Sequence, residues 1–372
     1  MEKLYDYVII GSGLFGSVFA HEMTKRGKKC LVIEKRSHAY GNLFCEKIEN
    51  INVHKYGAHI FHTSDESIWS YVNQFVKFNN FVNSPLINYQ NELYNLPFNM
   101  NTFYKLWGTV SPQDAKAVIA DQIANLNFTK ATNLEEQAQL LVGTDIYNMF
   151  IKGYTEKQWG KRPSLLPASI IKRIPVRFTY NNNYFDDHYQ GIPIGGYNAL
   201  MEKFLNGIDL RLNCDYFSDR TYFESLGKKL VFTGKIDQFF NYKFGVLEYR
   251  SLRFENKILP IENFQGNAVV NYTDANIPFT RIYEHKHFEF GSQPSTVITK
   301  EYPISSSTDR EPYYPINDSL NMTIFNQYKE VSKDFPNVIF GGRLAEYKYY
   351  DMHQVIGSAL TKMKHELKLA YV

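Results

Sequence analysis

The sequence predicts an α/β protein, in which a discontinuous Rossmann-like dinucleotide-binding domain carries an inserted helical domain and an antiparallel β-sheet domain. Three observations lead to this prediction. A glycine-rich turn lies between a strand and a helix near the start, a strand with a Gly-Gly turn returns near the end, and the composition changes twice between them. The predicted boundaries are 1–83, 187–236 and 334–372 for the dinucleotide-binding domain, 98–165 for the helical domain with a mobile lid, and 84–97, 166–186 and 237–333 for the sheet domain.

The first element is a strand, turn, helix and strand in close succession. Residues 5–10 form a continuous apolar run typical of a buried strand, and the glycine turn follows at once. Residues 17–26 have helical composition and end at Gly27, a residue type common just after a helix. Residues 30–33 supply the second strand. This order predicts a βαβ unit.

The turn itself has the chemistry of a dinucleotide-binding site. Gly11 permits the tight turn, Gly13 lets a pyrophosphate approach the backbone, and Gly16 lets the helix pack on the strand. Glu34 stands at the end of the second strand, where its carboxylate would accept ribose hydroxyls and repel a 2′-phosphate. The alternative is a glycine-rich turn in a plain βαβ unit.

The middle of the chain predicts two further units. Residues 99–159 have helical composition and indicate an inserted helical unit. From residue 235 to about 302, short alternating stretches indicate antiparallel strands. Residues 229–234 form another buried strand that ends in glycine, so the first domain is expected to be discontinuous.

The returning segment favours FAD over NAD as the cofactor. Residues 337–342 read as a strand that runs into a Gly-Gly turn, and Asp351 opens a helix with Gln354 in a capping box. FAD folds use such a helix start to bring a positive dipole end toward the flavin, where it stabilises an anionic reduced ring. No second GxGxxG follows, so one dinucleotide is expected.

Composition excludes several classes of function. The chain has 372 residues and a net charge of +3, which argues against a nucleic acid as partner. No apolar run approaches the ~20 residues of a spanning helix, so no membrane segment is expected. Cys30, Cys45 and Cys214 lie far apart and outside any CxxC spacing, which disfavours disulfides and a zinc site. We therefore predict a cytoplasmic protein without a metal.

Four arginines lie in aromatic-rich stretches, at Arg173, Arg250, Arg281 and Arg343. Guanidinium groups bind phosphate oxygens through two parallel hydrogen bonds, and tyrosine hydroxyls add donors without charge. The pattern suits an anionic diphosphate substrate. A surface ion pair is the alternative for each arginine.

Four histidines remain as weaker candidates. His285 and His287 are expected on one face of a solvated strand, because no third metal ligand stands at a suitable spacing. His59 and His62 follow a Gly-Ala step that allows the backbone to approach a planar ring. A core position is the alternative for both of them.

Specific motifs through nearly the whole chain match one known family. They include His54-Lys-Tyr-Gly-Ala-His-Ile-Phe-His62 and Gly153-Tyr-Thr-Glu-Lys-Gln-Trp-Gly160, and further matches cover residues 11–16, 33–36, 94–101, 171–177, 181–185, 264–267, 311–315 and 341–354. By these motifs the chain resembles the bacterial UDP-galactopyranose mutases, which depend on flavin.

The resemblance implies an isomerase that interconverts UDP-galactopyranose and UDP-galactofuranose without net redox. It implies FAD in its reduced form, attack of the flavin N5 on the anomeric carbon, and a sugar adduct at N5. It also implies a homodimer that acts on UDP-galactose in cell-surface polysaccharide biosynthesis. The alternatives are a UDP-N-acetylgalactosamine mutase, a FAD-dependent oxidase of the amine-oxidase type, and a non-catalytic nucleotide-sugar binding protein.

The resemblance also assigns roles to residues of this chain. Trp159 and the stretch around Arg173 would form the lid, with Trp159 near the uridine and Arg173 at the diphosphate. The predicted catalytic residues are Arg173, Arg281, Arg250 and His62. The predicted substrate-binding residues are Asn83, Tyr154, Thr155, Trp159, Arg173, Tyr184, Phe185, Arg250, Arg281, Tyr314 and Tyr349. The predicted cofactor-binding residues are Gly11, Gly13, Leu14, Phe15, Glu34, Lys35, Asn42, His59, Arg343, Tyr349, Asp351 and Met352.

One position departs from the family pattern. Members carry Gly-Gly-Asn shortly after the ribose carboxylate, whereas this chain has Tyr40, Gly41 and Asn42. A side chain at position 40 is expected to crowd the cofactor or to shift the backbone locally.

Overall fold

The fold is built on a parallel sheet whose strands come from separate parts of the chain. In the computed structural model, which describes residues 3–305 and 310–369 apart from the side chains of Lys172, Arg173 and Leu369, the sheet has five strands. Their bounds are β1 Tyr5–Ile10, β2 Cys30–Ile33, β9 Asp209–Arg211, β10 Gly227–Phe232 and β16 Val338–Phe340. They stand in the order β16, β10, β1, β2, β9, and every neighbouring pair is parallel.

The register of this sheet aligns the carboxyl ends of its strands. Ile10 at the end of β1 pairs with Phe232 of β10 and with Ile33 of β2. Val8 and Ile9 have no exposed surface, as expected for a parallel strand covered on both faces. The crevice beyond these strand ends is where open α/β sheets bind ligands.

A second sheet has seven strands in the order β15, β11, β14, β13, β12, β6, β7. Their bounds are β6 Leu86–Tyr89, β7 Glu92–Asn95, β11 Tyr249–Leu259, β12 Val269–Tyr272, β13 Arg281–Glu284, β14 Thr296–Ile304 and β15 Tyr314–Pro315. Neighbours are antiparallel except β12 and β6, which run parallel. Two small antiparallel pairs complete the described strands: β3 Cys45–Ile48 with β4 Ile51–His54, and β5 Phe61–Thr63 with β8 Tyr189–Gly191.

The helices of the described residues fall into three groups along the chain. The first two are α1 Leu14–Thr24 and α2 Glu66–Asn73. The inserted unit contains α3 Met100–Trp107, α4 Pro112–Ala124, α5 Leu134–Ile146 and α6 Gly153–Trp159, with a π-helical segment Tyr147–Lys152 between the last two. The rest are α7 Gly196–Leu205, α8 Arg220–Leu226, α9 Ile236–Phe239, α10 Ser319–Val331, α11 Gly342–Ala345 and α12 Met352–Leu369.

The helical unit has its own apolar core that also reaches the second sheet. Phe103, Ile119 and Phe150 of the helices pack in one cluster with Ile87 of β6 and with Phe98. No helix of the described residues is long and apolar enough to cross a membrane.

The predicted fold class is confirmed, with local corrections. Helix α1 begins at Leu14, three residues before the predicted start at residue 17, because Gly13 already caps it. The sheet predicted as antiparallel contains one parallel pair. The prediction that His285 and His287 lie on a strand face is wrong: both belong to the 3₁₀ turn His285–Glu289. The domain boundaries stay a prediction.

Candidate active site

A first cavity of about 350 Å³ lies beyond the carboxyl ends of the parallel strands. Its wall includes Gly11 and Gly13 in the turn after β1, Glu34 after β2, Thr233 after β10 and Arg343 in α11. The chain therefore builds the cavity at the edge of the sheet where α/β proteins hold dinucleotides.

The three glycines of the turn meet different surroundings. Gly11 has a φ of +101°, and an added Cβ would lie 2.3 Å from Thr233 Oγ1. A Cβ at Gly16 would lie 2.2 Å from the carbonyl oxygen of Gly11. At Gly13 an added Cβ would meet nothing within 4 Å, and the backbone is extended. Gly11 and Gly16 are needed by the fold itself, whereas Gly13 leaves room on the cavity side for a ligand.

Glu34 is held as a fixed acceptor in the wall. Its Oε2 accepts hydrogen bonds from the backbone N–H of Ser12 at 3.1 Å and from the Ser12 hydroxyl at 2.8 Å. Its Oε1 accepts from the backbone N–H of Arg36 at 3.1 Å. These bonds keep a buried carboxylate in place where a ribose would need an acceptor.

Arg36 is a cavity residue that our sequence analysis did not predict. Its Nη2 donates to Glu311 at 3.0 Å and to Asn42 at 3.1 Å, and its guanidinium lies 4.2 Å from the centre of the Tyr56 ring. Its Nη1 is buried without a partner in the described residues. Lys35 pairs with the same Glu311 at 2.7 Å. A buried unpaired guanidinium nitrogen suits a ligand with negative charge.

His59 and Arg343 line another side of the first cavity. The backbone carbonyl of Gly57 lies 2.8 Å from His59 Nδ1. Burial, and then the charge of Arg343, lowers the pKa of His59 to about 4, so the ring is neutral at neutral pH. Arg343 donates to the carbonyl oxygens of Tyr350 at 2.6 Å and Tyr313 at 3.4 Å. This side of the cavity is electropositive.

The predicted cofactor residues divide between the two cavities of the site. Those that line the first cavity are Gly11, Gly13, Leu14, Phe15, Glu34, Lys35, Asn42, His59, Arg343 and Met352. Tyr349 lines the second cavity, and Asp351 lines neither. Asp351 precedes α12, where its backbone N–H donates to Gln354 at 2.9 Å. Binding roles for all of them stay predictions.

Tyr40 lies outside the lining of the first cavity, and the expected crowding of the cofactor or local shift of the backbone stays a prediction. Tyr40 takes the left-handed conformation, with a φ of 79°, and does not line the cavity. Its ring lies 6.5 Å from that of Phe44 and packs against the core. The neighbouring Gly41 is the position where a Cβ would come within 2.8 Å of Gly13.

A second cavity of about 460 Å³ lies between the helical unit and the second sheet. The predicted substrate residues that line it are Tyr154, Thr155, Trp159, Tyr184, Arg281, Tyr314 and Tyr349. Gln158 and Thr273 also line it, and both Gln158 Oε1 and Thr273 Oγ1 are buried without a hydrogen-bond partner in the described residues. Phe98 and Phe150 give it an apolar wall. The cavity suits a ligand with both polar and planar parts.

Arg281 and Lys161 are cationic residues in the lining of this cavity, and Arg281 is the one that lies among buried partners. Its Nε donates to Asn271 Oδ1 at 3.0 Å, and its guanidinium lies 5.8 Å from the centre of the Tyr154 ring. Glu301 lies 3.9 Å away and is held by a hydrogen bond from the Tyr283 hydroxyl. Burial disfavours the charge of Arg281, but the nearby Tyr154 and Glu301 outweigh it and raise its pKa. Arg281 is therefore a fixed positive charge.

The two cavities meet at an arginine and two tyrosines. The rings of Tyr314 and Tyr349 stack with their centres 5.1 Å apart in the second cavity. Arg343 of the first cavity lies 5.7 Å from the centre of the Tyr349 ring. A ligand in one cavity can therefore approach a ligand in the other along these three side chains.

Other predicted residues lie outside the walls of both cavities. Arg250 donates from Nε to the carbonyl oxygen of Gln158 at 2.8 Å and so contacts the end of α6. The backbone of Asn83 accepts from the N–H of Tyr184 at 2.7 Å, and Asn83 Oδ1 has no partner in the described residues. Arg173 ends the 3₁₀ turn Ala168–Arg173, and its side chain lies outside the described part of the structure.

His62 and Phe185 form a separate pair near these cavities. Their rings stack at 3.7 Å, and His62 Nδ1 lies 2.5 Å from Asp187 Oδ2. The other oxygen of Asp187 accepts from the Ser64 hydroxyl at 2.7 Å. Burial raises the pKa of Asp187, but the bonds from Ser64 and His62 outweigh this and lower it. The roles predicted for His62 and Phe185 stay predictions.

This fold and the cavity at the strand ends define a dinucleotide-binding enzyme class, with a second cavity that contains Arg281 next to the first. Two family descriptions match: UDP-galactopyranose mutase over residues 149–349 and NAD(P)-binding Rossmann-like domain over residues 9–75. The dTDP-fucopyranose mutase of Escherichia coli is 37% identical over 362 residues, which cover 95% of this chain and 96% of that protein. The probable UDP-galactopyranose mutase of Klebsiella pneumoniae is 36% identical over 361 residues, which cover 95% of this chain and 93% of that protein.

A solved structure agrees with these relatives at the level of the fold. The crystal structure of a reduced UDP-galactopyranose mutase matches with a TM-score of 0.79 and 14% identity, over 99% of this chain and 95% of that one. The chain belongs to the UDP-galactopyranose mutase family. It is accordingly an isomerase that uses a flavin.

Proposed function

We propose that this chain interconverts UDP-galactopyranose and UDP-galactofuranose, with reduced FAD in the first cavity and the nucleotide sugar in the second. The observation that carries the proposal is the junction of Arg343, Tyr349 and Tyr314, where the two cavities meet. An enzyme that uses a flavin directly on a sugar needs the two ligands to be in contact.

The residues of the first cavity fit FAD. Gly13 leaves open space beside the turn and the amino end of α1, where unpaired N–H groups favour a pyrophosphate. Glu34 offers a fixed acceptor for the ribose, and Arg36 Nη1 is buried without a hydrogen-bond partner among the described residues. When bound, reduced FAD supplies the nucleophile that displaces the nucleoside diphosphate from the anomeric carbon.

Residues of the second cavity are suited to hold the departing diphosphate. Arg281 keeps its charge and is oriented by Asn271, so it can neutralise phosphate oxygens without reorganising. Burial raises the pKa of Tyr154 to about 12 and that of Tyr314 above its ordinary value. Both hydroxyls therefore stay protonated at neutral pH and can donate hydrogen bonds to phosphate oxygens.

The helical side of the cavity is suited to bind the nucleoside and exclude water. Phe150 and Tyr154 present rings from adjacent turns, and Trp159 lies at the end of the same helix. Planar rings favour a nucleobase by stacking. An open-chain sugar would react with water, so an apolar cover protects the reaction.

A second candidate is the interconversion of dTDP-fucopyranose and dTDP-fucofuranose. The Escherichia coli relative that carries this name is 37% identical, and the Klebsiella pneumoniae relative is 36% identical. Overall identity therefore does not separate the two nucleotides or the two sugars. UDP-N-acetylgalactosamine is a third substrate to include in the assay.

Chromatography of product mixtures tests the proposal. Purified enzyme is incubated without oxygen with UDP-galactose, dTDP-fucose or UDP-N-acetylgalactosamine, with and without dithionite. We expect furanose product from UDP-galactose with reduced enzyme only, many turnovers per flavin, and a spectrum that stays reduced. Stoichiometric reoxidation of the flavin by the sugar would make the protein an oxidoreductase, and faster turnover of dTDP-fucose would reassign the substrate.

We also propose the three predicted domains and a homodimer, in a reducing compartment such as the cytoplasm. The described residues include three free cysteines, of which Cys30 and Cys45 are buried, which suits a reducing environment. Light scattering after size-exclusion chromatography measures the oligomeric state.

A further inference from the structure

A chain of hydrogen bonds runs from the second sheet to the wall of the first cavity. The backbone N–H of His59 donates to His54 Nδ1 at 3.1 Å, and the backbone N–H of His54 donates to His285 Nδ1 at 3.3 Å. His285 Nε2 lies 2.6 Å from the Thr299 hydroxyl, and that hydroxyl donates to Asn256 Oδ1 at 2.7 Å. The chain starts inside the sheet and ends at a cavity residue.

The direction of these bonds fixes the protonation of two rings. A neutral imidazole has one N–H, so a ring that accepts at Nδ1 carries its proton at Nε2. His285 therefore donates from Nε2 to Thr299, whose own proton goes to Asn256. Burial lowers the pKa of His285 to about 3 and that of His54 well below its ordinary value. Both Nδ1 acceptors are thus present at neutral pH.

The turn that carries His59 depends on these rings. We call residues 55–60 the His59 turn. In the described residues, 56–60 make no backbone-to-backbone hydrogen bond, so the bond to His54 takes the place of such pairing. The His54 ring also stacks on Phe288, with ring centres 4.9 Å apart, and meets the Tyr197 ring edge-on at 5.5 Å.

We propose that His54 and His285 are positioning residues for the His59 turn, and that through it they determine how tightly the flavin part of the cofactor is held. The two rings are buried and line neither cavity. They act through His59, which lines the first cavity beside Arg343. Glu34, at the ribose side, follows β2 directly and has no part in this chain of bonds. The proposal rests on FAD being the ligand of the first cavity.

Two replacements of His54 separate the hydrogen bond from the ring. His54→Asn keeps an acceptor, because the amide oxygen can occupy the place of Nδ1, whereas His54→Leu fills similar space without one. We expect His54→Leu to raise the Kd of FAD at least tenfold in the apoprotein. ADP, which lacks the flavin, should bind within twofold of its wild-type Kd. His54→Asn should restore the Kd of FAD to within about threefold.

Phe288→Leu is the control for general damage to the core. It removes the ring stacked on His54 but leaves the acceptor in place. We expect it to lower the Tm and leave the Kd of FAD unchanged when measured well below that Tm. Equal loss of FAD and ADP affinity in His54→Leu, or no difference between His54→Leu and His54→Asn, would overturn the proposal.

Amide hydrogen exchange in the His59 turn measures, without any ligand, how firmly His54 holds this turn. The amide of His59 should exchange at least ten times faster in His54→Leu than in the wild type, and near the wild-type rate in His54→Asn. Failure of wild-type protein to bind FAD would sink the proposed function, and the exchange rates would still decide the role of the histidines. An unchanged exchange rate of the His59 amide in His54→Leu would overturn the proposal that His54 positions the turn.

The contact between His54 and His285 is tested by combining a replacement of each residue in one protein. If His285 acts only by orienting His54, then His285→Leu should have no further effect on the Kd of FAD once His54 is already leucine. Additive effects of the two replacements would show that His285 acts independently and would overturn the chain of action.

Discussion

Gly13 and Gly16 are three positions apart in the same turn, and the space around them differs completely. A side chain at Gly16 would collide with the backbone of Gly11, whereas one at Gly13 would enter open space. The same substitution should therefore damage the fold at one position and ligand binding at the other.

We expect Gly13→Val to fold with a Tm close to that of the wild type and to lose its flavin, because the valine occupies the approach of the pyrophosphate. Gly16→Val should lose a few kcal/mol of unfolding free energy. Absorbance at flavin wavelengths and thermal unfolding measure the two effects. A yellow, fully loaded Gly13→Val protein would defeat the assignment of the cofactor.

Tyr40 tests how much a strained backbone matters at this site. A non-glycine residue in the left-handed region costs roughly 1–2 kcal/mol, and loss of the packed ring in Tyr40→Gly offsets that relief. We therefore expect Tyr40→Gly to bind FAD within about twofold of the wild-type Kd, as measured by titration of apoprotein. A large gain in affinity would mean that the tyrosine does crowd the cofactor.

The arginines predicted to act on the diphosphate give a kinetic test. Arg281→Ala and Arg173→Ala should each lower kcat/KM by a factor on the order of 10² or more, since charge stabilisation at a departing group contributes a few kcal/mol. Lysine should rescue only partly, because it lacks the planar fork. Steady-state kinetics of the reduced enzyme measures this, and near-native rates in both alanine variants would move the diphosphate site elsewhere.

At the scale of elements, α6 is joined to the β12 and β13 hairpin by one lysine. Lys157 Nζ donates to the carbonyl oxygens of Tyr272 at 2.7 Å and Phe279 at 3.1 Å. Burial lowers the pKa of Lys157 to about 8. The contact holds the helix that carries Tyr154 against the strand that carries Arg281.

Replacing this lysine should loosen the substrate cavity without touching its lining. We expect Lys157→Met to raise KM about fivefold or more with a small change in kcat, because the two walls are no longer fixed against each other. Lys152→Met, on the exposed side of the preceding segment, is the matched control and should leave KM unchanged. Equal kinetics of the two variants would contradict this role.

Elements with local signals could be predicted, and those set by distant contacts could not. The apolar runs of β1 and β2, together with the glycine-rich turn that follows β1, are almost sufficient to predict the first βαβ unit. The His285 to His287 segment alternates like a strand, but Lys286 turns inward to the carbonyl oxygens of Glu262, Gln293 and Ser295. These partners lie 24, 7 and 9 residues from Lys286 and reach it only after the chain has folded, so periodicity could not reveal the turn.

At the scale of the whole molecule, the candidate site was predictable where a motif named its residues. The first cavity follows from the glycine turn, Glu34 and the returning Arg343. Arg36 was missed because its importance depends on a guanidinium nitrogen that stays unpaired in the described residues, and the role of His285 was missed because it depends on bonds to distant segments of the chain. The contact between Arg281 and Tyr154 could not be predicted either, because it depends on how the helical unit packs on the second sheet.

Buried histidines should make the whole molecule sensitive to acid. In the unfolded chain a histidine gains its proton near pH 6.5, whereas folded His285 stays neutral down to about pH 3 and folded His54 also stays neutral well below its ordinary range. The unfolded state therefore binds more protons as the pH falls below about 6.5, and the unfolding free energy decreases by up to about 1.4 kcal/mol per pH unit for each histidine.

Urea denaturation at pH 7, 6 and 5 checks this expectation. His285→Gln should show a shallower fall in unfolding free energy than the wild type, by about one proton. His365→Gln on the exposed side of α12 is the control and should keep the wild-type slope. Identical slopes in both variants would contradict a buried neutral His285.

The position of β16 in the first sheet has a consequence for biosynthesis. This edge strand and the α11 and α12 segments that follow it are far from β1 and α1 in the sequence, yet they close the cavity that opens at Gly11. A growing polypeptide therefore leaves the ribosome with its first βαβ unit formed and one side of the cavity missing. Cofactor loading therefore has to wait until β16, α11 and α12 have been made, and until then the side of β10 that pairs with β16 is open to chaperones.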